Sequence, residues 1–387
     1  MGYYESLGVR PLINASARLT RLGGSLLSPA VLAAMSAAAA QYVDLYELHA
    51  AVGRRLAVLT HNEAAYVCAG AAAGLALATL ACMAGTEPSA TLRLPVGDWA
   101  RREIIIHCAH RIPYDHAIRL VGGTLVQIGS VLQTFDWELD HAINEHTAAV
   151  LYIAGAHLRR GALPLETVVA IAHARNVPVI VDAAAQLPPV ENLWYFTRDL
   201  GADLAVFSGG KDLCGPQASG LIVGRPDLIA ACAFHSAPYA RLGRAMKTGK
   251  EEIIGLLAAV EQYLLSDHHA RAARFEAVVA GWVAVLGDVP GVCVRRDFPN
   301  EAGQPVPRAR IDINPWVASL TGPQLVQQLW DGDPRIAVDQ EAPDTIWLTP
   351  DTVEPGDEQI IAARIIAAFA HSQSILATRS VPDQATG

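Results

Sequence analysis

Short apolar runs rich in β-branched residues alternate with helical patterns through the middle of the chain, and this alternation limits the folds available to it. A strand that stays apolar along its whole length is buried on both faces, which is typical of parallel sheets covered by helices. The candidate strands are Ala65–Cys68, Ile104–His107, Leu125–Ile128, Val150–Ala154, Val177–Asp182, Leu204–Phe207 and Gly220–Val223. We therefore predict an α/β fold with a mainly parallel, seven-stranded sheet and helices on both faces.

Helical patterns lie between several of these strands and dominate the last third of the chain. The predicted helices are Gly70–Met83, Leu165–Arg175, Asn192–Leu200, a long helix from Lys250 and a final helix near Glu358–Ala370. Two later strands, Arg308–Ile313 and Ile346–Leu348, indicate a second, smaller α+β domain. The predicted parts are an irregular N-terminal arm (1–45), a large domain (46–250), a linking helix with the small C-terminal domain (251–387), and a loose tail (380–387).

Composition and charge narrow the class of protein. Apolar residues make up 52% and charged residues 17% of the chain, as in globular proteins. The net charge of -9 argues against a nucleic-acid partner, because such surfaces set Lys and Arg against phosphates. The uncharged run Val67–Gly85 could span a bilayer by length, but its Ala and Gly content favours a buried helix. We expect a cytoplasmic protein without membrane contact, with reduced cysteines.

Two charged residues follow neighbouring strands of the predicted sheet. Asp182 ends the strand in "VPVIVDAAAQ", and Lys211 lies in the glycine-rich turn "FSGGKDLCGPQASG" after the next strand. Only three of the 29 Lys and Arg residues are lysines, so this chain normally uses arginine where a positive charge is enough. A lysine at position 211 therefore indicates a chemical role for its amine that arginine cannot fill. Because ligands of parallel α/β sheets bind outside the carboxyl ends of the strands, we expect both side chains at one binding site.

This pair fits the chemistry of pyridoxal phosphate. The aldehyde of that cofactor needs a lysine amine for its Schiff base, which arginine cannot supply. Its pyridine nitrogen needs a carboxylate so that the ring can store electrons, and its phosphate needs a helix N-terminus. Small residues at 69–72 precede the first predicted helix and allow backbone N–H groups to approach an anion. The sequence therefore indicates a pyridoxal 5'-phosphate enzyme.

Longer segments around these residues are similar to a known enzyme family. The segments are "VRPLINASARLTRLGGSLLSPAVLAAM", "VIVDAAAQLPP", "GADLAVFSGGKDLCGPQASGLIVGRPDLI" and "GRAMKTGKEEIIGLL". They resemble the selenocysteine synthase-related pyridoxal-phosphate enzymes, a family that includes D-glucosaminate-6-phosphate ammonia-lyase. The resemblance implies the fold-type I architecture of the aspartate aminotransferase superfamily.

The resemblance also implies roles for individual residues, with Lys211, Asp182 and His110 as the catalytic ones. Lys211 matches the Schiff-base lysine, and Asp182 matches the partner of the pyridine nitrogen. His110 falls where the wider fold places a ring that stacks on the cofactor. Gln186 resembles a glutamine that contacts the cofactor's phenolic oxygen in class V aminotransferases. The residues that match the phosphate cup are Ala69, Gly70, Ala71, Ala72 and Ser208.

Further positions of the family pattern concern a second subunit and the substrate. Lys247 and Lys250 match a basic motif near a dimer interface and a neighbouring phosphate, so we expect a homodimer or a higher homo-oligomer. Trp347 stands where class V aminotransferases have an arginine for the substrate carboxylate. Arg21 or Arg335 is then the alternative for that carboxylate, unless it is bound in another way.

Two groups of side chains have less specific interpretations. Cys214 stands where the family usually has a basic residue, either as an adapted pocket residue or as a packed small side chain. His107, His110 and His116 are close in sequence, but no HExxH or comparable set of ligands accompanies them. We therefore predict no metal site.

The favoured function is that of a lyase. Lys211 would hold the cofactor and move the α-proton of an amino substrate, and loss of a β-hydroxyl would then give a 2-oxo acid and ammonia. We predict this α,β-elimination on a hydroxylated amino acid or an aminosugar acid, with Lys211, His110, Tyr114 or His157 protonating the departing hydroxyl. The alternatives are an amino-acid racemase or epimerase, a selenium transferase acting on seryl-tRNA, and a non-catalytic sensor of an amino compound.

Overall fold

A computed structural model of the protein describes residues 2–379, with side chains in the last helix described as far as residue 372. The tail predicted at 380–387 lies outside the described residues. In chain order the strands are β1 (Leu12–Ala15), β2 (Ala64–Cys68), β3 (Glu103–His107), β4 (Thr124–Ile128), β5 (Thr147–Ile153), β6 (Val179–Asp182), β7 (Leu204–Ser208), β8 (Gly220–Gly224), β9 (Val292–Asp297), β10 (Arg308–Ile313), β11 (Arg335–Ala342) and β12 (Thr345–Leu348).

The helices include all those predicted from the sequence, although the one predicted at Asn192–Leu200 is short and continues as a π-helical turn at Tyr195–Asp199. In chain order they are α1 (Tyr3–Ser6), α2 (Pro29–Ala39), α3 (Leu45–Leu59), α4 (Ala71–Ala84), α5 (Ala90–Arg93), α6 (His116–Leu120), α7 (Asp136–Ala142), α8 (Leu165–Ala174), α9 (Asn192–Trp194), α10 (Pro226–His235), α11 (Lys250–Leu265), α12 (His268–Leu286), α13 (Pro315–Ala318), α14 (Gly322–Asp331) and α15 (Asp357–Arg379).

The larger of two compact units comprises residues 23–266 and 301–304. Its seven-stranded sheet has the order β2-β8-β7-β6-β5-β3-β4. Strand β8 runs antiparallel to both of its neighbours, and the remaining pairs are parallel. All strands of this sheet except β8 therefore end at the same edge. The sheet contains the seven predicted strands, which confirms the predicted mainly parallel architecture.

Helices cover both faces of this sheet because its strands are apolar on both sides. One apolar layer contains Leu56 of α3 and Val168 of α8, and the other contains Leu77 of α4 and Ile118 of α6. Helix α4 is buried over most of its length, as predicted for the run Val67–Gly85. Within residues 2–379, no helix is both long enough and apolar enough to cross a membrane.

Within the described residues, the smaller unit comprises residues 2–22, 267–300 and 305–379. Its five-stranded sheet has the order β1-β11-β12-β10-β9, in which β1 pairs parallel with β11 and the other pairs are antiparallel. Helix α12 contributes the buried Trp282 to the core of this unit. The two strands and the final helix predicted in this part of the chain are all present.

The prediction of an irregular N-terminal arm is wrong. Strand β1 pairs with β11, near the other end of the chain, and such a distant pairing leaves no local pattern in a four-residue strand. Helix α2 packs on α11, so residues 23–45 and α11 itself group with the larger unit. The predicted boundaries at 46 and 250 assign these two segments to the arm and to the linking helix instead.

Candidate active site

The edge at which the parallel strands end brings several predicted residues together. Strand pairing sets Ile153 of β5 beside Asp182 of β6, and Asp182 beside Val206 of β7. Two residues further along β7, Ser208 lies opposite Gly220, the first residue of β8. The ends of β5, β6 and β7 thus line one edge of the sheet, where ligands of such sheets bind.

Lys211 follows β7 in a tight turn that its own hydrogen bonds hold in place. The Gly215 N–H donates to the Gly209 carbonyl at 2.8 Å, and the Lys211 carbonyl accepts a hydrogen bond from the Ser25 hydroxyl at 2.6 Å. A Cβ atom at Gly209 would collide with the Ser219 hydroxyl, so this position requires glycine. The turn therefore fixes the main chain from which the lysine side chain extends.

Asp182 is buried and Lys211 is half-buried, and their charges act on each other. Asp182 is 6% exposed, and its Oδ1 accepts the Ala184 N–H at 3.0 Å. Burial raises the pKa of Asp182, while the Ala184 hydrogen bond and the Lys211 charge oppose that rise. Burial lowers the pKa of Lys211, while the charges of Asp182 and Glu301 oppose that fall. A lowered pKa makes a lysine amine a better nucleophile near neutral pH.

The N-terminus of α4 presents backbone donors near the same edge. Gly70 has a φ of +89°, which favours glycine, and within the described chain no side chain caps the helix that follows it. A Cβ atom at Gly70 would meet no other atom within 4 Å, so space lies before the helix. A Cβ atom at Gly220 would lie 3.0 Å from the Ala71 nitrogen, so glycine permits this close approach. Ala69 and Ala71 are half-buried and Ala72 is exposed. An uncapped helix N-terminus with free space suits an anion.

His110 lies in a 3-10 turn, Cys108–His110, directly after β3. Its ring is 0% exposed, and its Nδ1 accepts the Ile153 N–H at 3.3 Å. The ring centroid lies 4.9 Å from that of His107 and 4.6 Å from that of Tyr152. Burial lowers the pKa of His110 to about 3, so the ring is neutral at neutral pH. Because protein covers this ring, stacking on a cofactor would require the turn to move, and that role stays a prediction.

The Gln186 amide binds main-chain carbonyls in this structure. Its Nε2 donates to the Ala185 carbonyl at 3.1 Å and to the Ala302 carbonyl at 3.2 Å. Both amide hydrogens are thereby used, and contact with a phenolic oxygen stays a prediction.

The sequence does not reveal two further contributors to this edge. Ser25 reaches the Lys211 carbonyl from the segment before α2, and residues 301–304 reach the loop after β6 from a distant part of the chain. Gly23 and Gly24 both have positive φ and mark a tight turn before Ser25, which is a signal that could have identified this segment. No comparable pattern marks residues 301–304, because only tertiary structure brings them here.

The other two lysines have different surroundings from Lys211. The Lys250 ammonium pairs with Glu251 and donates to the Ala39 carbonyl at 3.2 Å, and Lys247 is exposed. Their role near a partner's phosphate stays a prediction.

Cys214 has a φ of +52° and is half-buried, and both interpretations of this residue stay open.

The residues that the sequence analysis considered for binding a substrate carboxylate lie in the smaller unit. Trp347 of β12 donates from Nε1 to Asp297 Oδ2 at 2.7 Å, and Arg335 of β11 donates from Nε to the Trp330 carbonyl at 2.9 Å. Arg21 lies in a 3-10 turn.

Among the side chains that the structure describes, no group of three or more His, Cys, Asp or Glu residues could hold a metal ion.

Known proteins are similar to this chain in sequence and in fold. A model of the L-seryl-tRNA selenium transferase family matches residues 12–276. The chain is 37% identical over 340 residues to a 5'-C-glycyluridine monooxygenase-decarboxylase of a Streptomyces species, covering 86% of this chain and 83% of that protein. It is 32% identical over 369 residues to D-glucosaminate-6-phosphate ammonia lyase of Salmonella typhimurium, covering 94% and 96% of the two chains.

A solved structure of D-glucosaminate-6-phosphate ammonia-lyase has a TM-score of 0.84 to this chain at 31% identity, and the match covers 96% of this chain and 99% of the other. This likeness confirms the predicted fold-type I class and the resemblance seen in the sequence segments. The family model covers more than half of the chain, and both relatives match most of its length. The chain therefore belongs to the L-seryl-tRNA selenium transferase family.

Proposed function

We propose that the protein is a pyridoxal-phosphate-dependent lyase that acts on a hydroxylated amino acid or an aminosugar acid. The reaction removes the α-hydrogen and the β-hydroxyl as water. Hydrolysis of the resulting enamine then gives a 2-oxo acid and ammonia. The observation that carries this proposal is the Asp182 and Lys211 pair at the ends of adjacent strands. It occurs in a chain that is 32% identical to D-glucosaminate-6-phosphate ammonia lyase over nearly the whole length of both.

The residues at this sheet edge fit the cofactor. The uncapped N-terminus of α4, with the space before Gly70, would bind the phosphate together with Ser208. The buried Asp182 would pair with the protonated ring nitrogen, and Lys211 would hold the aldehyde carbon. When bound, pyridoxal phosphate supplies an electron-accepting ring that makes the α-hydrogen of an amino acid acidic.

Lys211 would also move the protons of the reaction. Once the substrate's amine has replaced it, its free amine takes the α-proton, and burial favours the free amine because it lowers the lysine pKa. The same group can give that proton to the β-hydroxyl when both groups leave from one side of the substrate. For departure from the other side, Tyr114 and His157 are the exposed candidates in loops of the larger unit. His110 is buried and would have to move first.

A second candidate function is oxidative decarboxylation of an amino acid. The 37% identity to a 5'-C-glycyluridine monooxygenase-decarboxylase favours it. In that case molecular oxygen oxidises the α-carbon as its bond to the carboxylate breaks, and the carboxylate leaves as carbon dioxide. One oxygen atom becomes the carbonyl oxygen of an amide that keeps the substrate's nitrogen, and the other leaves as water. The same Asp182 and Lys211 pair would serve, because both reactions begin with withdrawal of electrons from the α-carbon.

One screen separates these reactions. Purified holoprotein is incubated with hydroxy-amino acids, aminosugar acids, a β-unsubstituted amino acid and a glycyl nucleoside, while ammonia, 2-oxo acid, dissolved oxygen and optical rotation are followed. Equal amounts of ammonia and 2-oxo acid from the hydroxylated substrates alone, without oxygen uptake, support the lyase. Oxygen uptake with carbon dioxide release supports the second candidate. Loss of optical rotation without ammonia would replace both with a racemase.

We further propose that the protein is cytoplasmic and acts as a homodimer or a higher homo-oligomer. The exposed Lys247, on a segment similar to the family's basic motif, supports contact with a neighbouring subunit. Light scattering on the purified protein tests this, and a mass equal to a single chain would contradict it.

A further inference from the structure

The two outermost strands of the large sheet differ in how they are covered. Helix α3 packs on β2 so closely that a Cβ atom at Gly53 would lie 2.6 Å from the Ala65 carbonyl oxygen. At the other side of the sheet, β4 pairs with β3 alone among the described strands. Helices α6 and α7 pack on opposite faces of β4, and Thr124 and Gln127 of this strand are exposed. The outer side of β4 is therefore open to a further strand.

The main-chain groups on this outer side form a pattern that is complementary to itself. The Thr124 N–H donates to the Arg102 carbonyl at 2.7 Å, on the β3 side. Because this direction alternates along a strand, the N–H and carbonyl groups of Leu125 and Gln127 face away from β3. A second β4, running antiparallel with Val126 beside its own copy, would set Leu125 of each chain opposite Gln127 of the other. Each of these pairs can exchange two main-chain hydrogen bonds.

Strand β4 lacks the sequence features that usually keep an exposed strand from pairing. Its residues, "TLVQI", include no charged side chain and no proline. Arg111 reaches the Gln127 side chain at 3.0 Å, but the charge of Arg111 is paired with Asp115. Charge repulsion therefore does not protect this strand.

The segments that flank β4 expose large apolar side chains. Leu120, at the end of α6, is 61% exposed, and Leu132 and Trp137, which follow β4, are 67% and 65% exposed. The turn that carries Leu132 is ordered by its own hydrogen bonds, since the Ser130 hydroxyl accepts the Leu132 N–H at 3.2 Å. Such a turn loses little conformational freedom when a partner covers it. Exposed apolar side chains around one strand mark an association surface.

We propose that β4 pairs antiparallel with β4 of a second copy of this chain, about a two-fold axis through Val126. A free peptide would gain little beyond the main-chain hydrogen bonds, whose net contribution is small against the cost of association. A second copy also covers the apolar side chains that flank β4, so the structure favours it over a peptide. Together with the contact proposed for the segment of Lys247, this pairing gives an assembly larger than a dimer.

Charges placed on the two-fold axis test the pairing, with light scattering on the holoprotein as the measurement. In Val126→Lys and in Val126→Glu, like charges meet across the axis, so the mass of each variant should fall to half of the wild-type value or less. An equimolar mixture of the two should restore the wild-type mass, because opposite charges then meet. A wild-type mass in both separate variants would overturn the proposal, and so would a wild-type mass equal to a single chain.

A matched pair of exposed positions separates this surface from a general effect of added charge. Gln127→Lys should lower the mass, whereas Gln328→Lys, on α14 of the smaller unit, should leave it unchanged. Equal losses in both variants would count against β4 as the contact.

Hydrogen exchange on the wild-type holoprotein needs no variant and therefore no assumption about folding. At a concentration that gives the full mass, the Leu125 and Gln127 amides should exchange at least about 100-fold more slowly than those of an unstructured peptide. Fast exchange of both amides at the full mass would overturn the proposal.

Discussion

Asp182 and Asp203 are buried carboxylates at opposite edges of the same sheet, each 6% exposed. Asp203 lies just before β7 and has three partners supplied by the chain. Arg225 Nη1 donates to it at 2.6 Å, His173 Nε2 at 2.9 Å and the Val179 N–H at 2.7 Å. A buried carboxylate with this many donors is satisfied within the protein.

Asp182, at the end of β6, is satisfied to a smaller degree. It accepts the Ala184 N–H, and the charge of Lys211 acts on it, yet burial still raises its pKa. The difference teaches how to separate a structural buried carboxylate from a functional one. At the Asp203 edge the chain completes the hydrogen bonding, whereas at the Asp182 edge a cationic group of a ligand would complete it.

The largest effect should come from Lys211, which acts only at the Asp182 edge. Lys211→Ala should reduce turnover by more than about 10³-fold, because no other group there can hold the aldehyde and move the α-proton. Lys211→Arg should fail nearly as badly, since a guanidinium is neither a nucleophile nor a base near neutral pH. Ammonia release measures turnover, and denaturant unfolding should show an intact fold. Full activity in Lys211→Ala would remove this edge from the mechanism.

Asp182→Asn should cut α-hydrogen exchange by roughly 10²-fold to 10⁴-fold while the cofactor stays bound. An amide cannot keep the ring nitrogen protonated, so the ring accepts electrons less well. Exchange of the substrate α-hydrogen in deuterated solvent measures this step without the later ones. Wild-type exchange in the variant would show that Asp182 merely caps the turn through Ala184.

In contrast to Asp182→Asn, the substitution Asp203→Asn should reduce stability and leave α-hydrogen exchange intact. The free energy of unfolding should fall by about 2 kcal/mol, a value reduced for the partial exposure of Arg225 and His173, while α-hydrogen exchange per folded molecule stays near wild type. Urea unfolding measures the stability. The control Asp199→Asn removes an exposed pair with Arg198 and should leave stability unchanged. Loss of exchange without loss of stability in Asp203→Asn would erase the contrast between the two edges.

The smallest expected effect is on how the stability of the cofactor-free protein depends on pH. Because the folded-state pKa of Asp182 is raised, the folded chain binds this proton more tightly than the unfolded chain does. Stability contributed by Asp182 is therefore lost as pH rises from the ordinary aspartate range through the raised value. Asp182→Asn lacks this titration and should be more stable than wild type at neutral pH but not at acid pH. Urea unfolding at both pH values checks this, and an equal difference at both would contradict it.

Much of the fold follows from local pattern. The run Lys250–Leu265 is helical over the predicted length, and the strands of the large sheet begin and end within a few residues of their predicted limits. Strand β1 could not be predicted, because its four residues owe their conformation to pairing with β11. The position of α2 likewise depends on its packing against α11.

The same division holds at the candidate site. Asp182 and Lys211 could be identified because parallel strands deliver their carboxyl ends to one edge, which makes chain order a guide to position. The sequence could not predict that His110 is buried or that Gln186 donates to the Ala302 carbonyl, because both depend on how loops fold back over that edge. Glu301 reaches the edge from outside the strand order altogether.

The most direct test of the account is to find which lysine holds the cofactor. The chain has Lys211, Lys247 and Lys250 and no other lysine, so the result is discrete. Borohydride reduction of the holoprotein fixes the cofactor on the lysine that binds it, and peptide mass spectrometry then reads the position. We predict a pyridoxyl group on Lys211 alone. A pyridoxyl group on Lys247 or Lys250, or no incorporation at all, would contradict it.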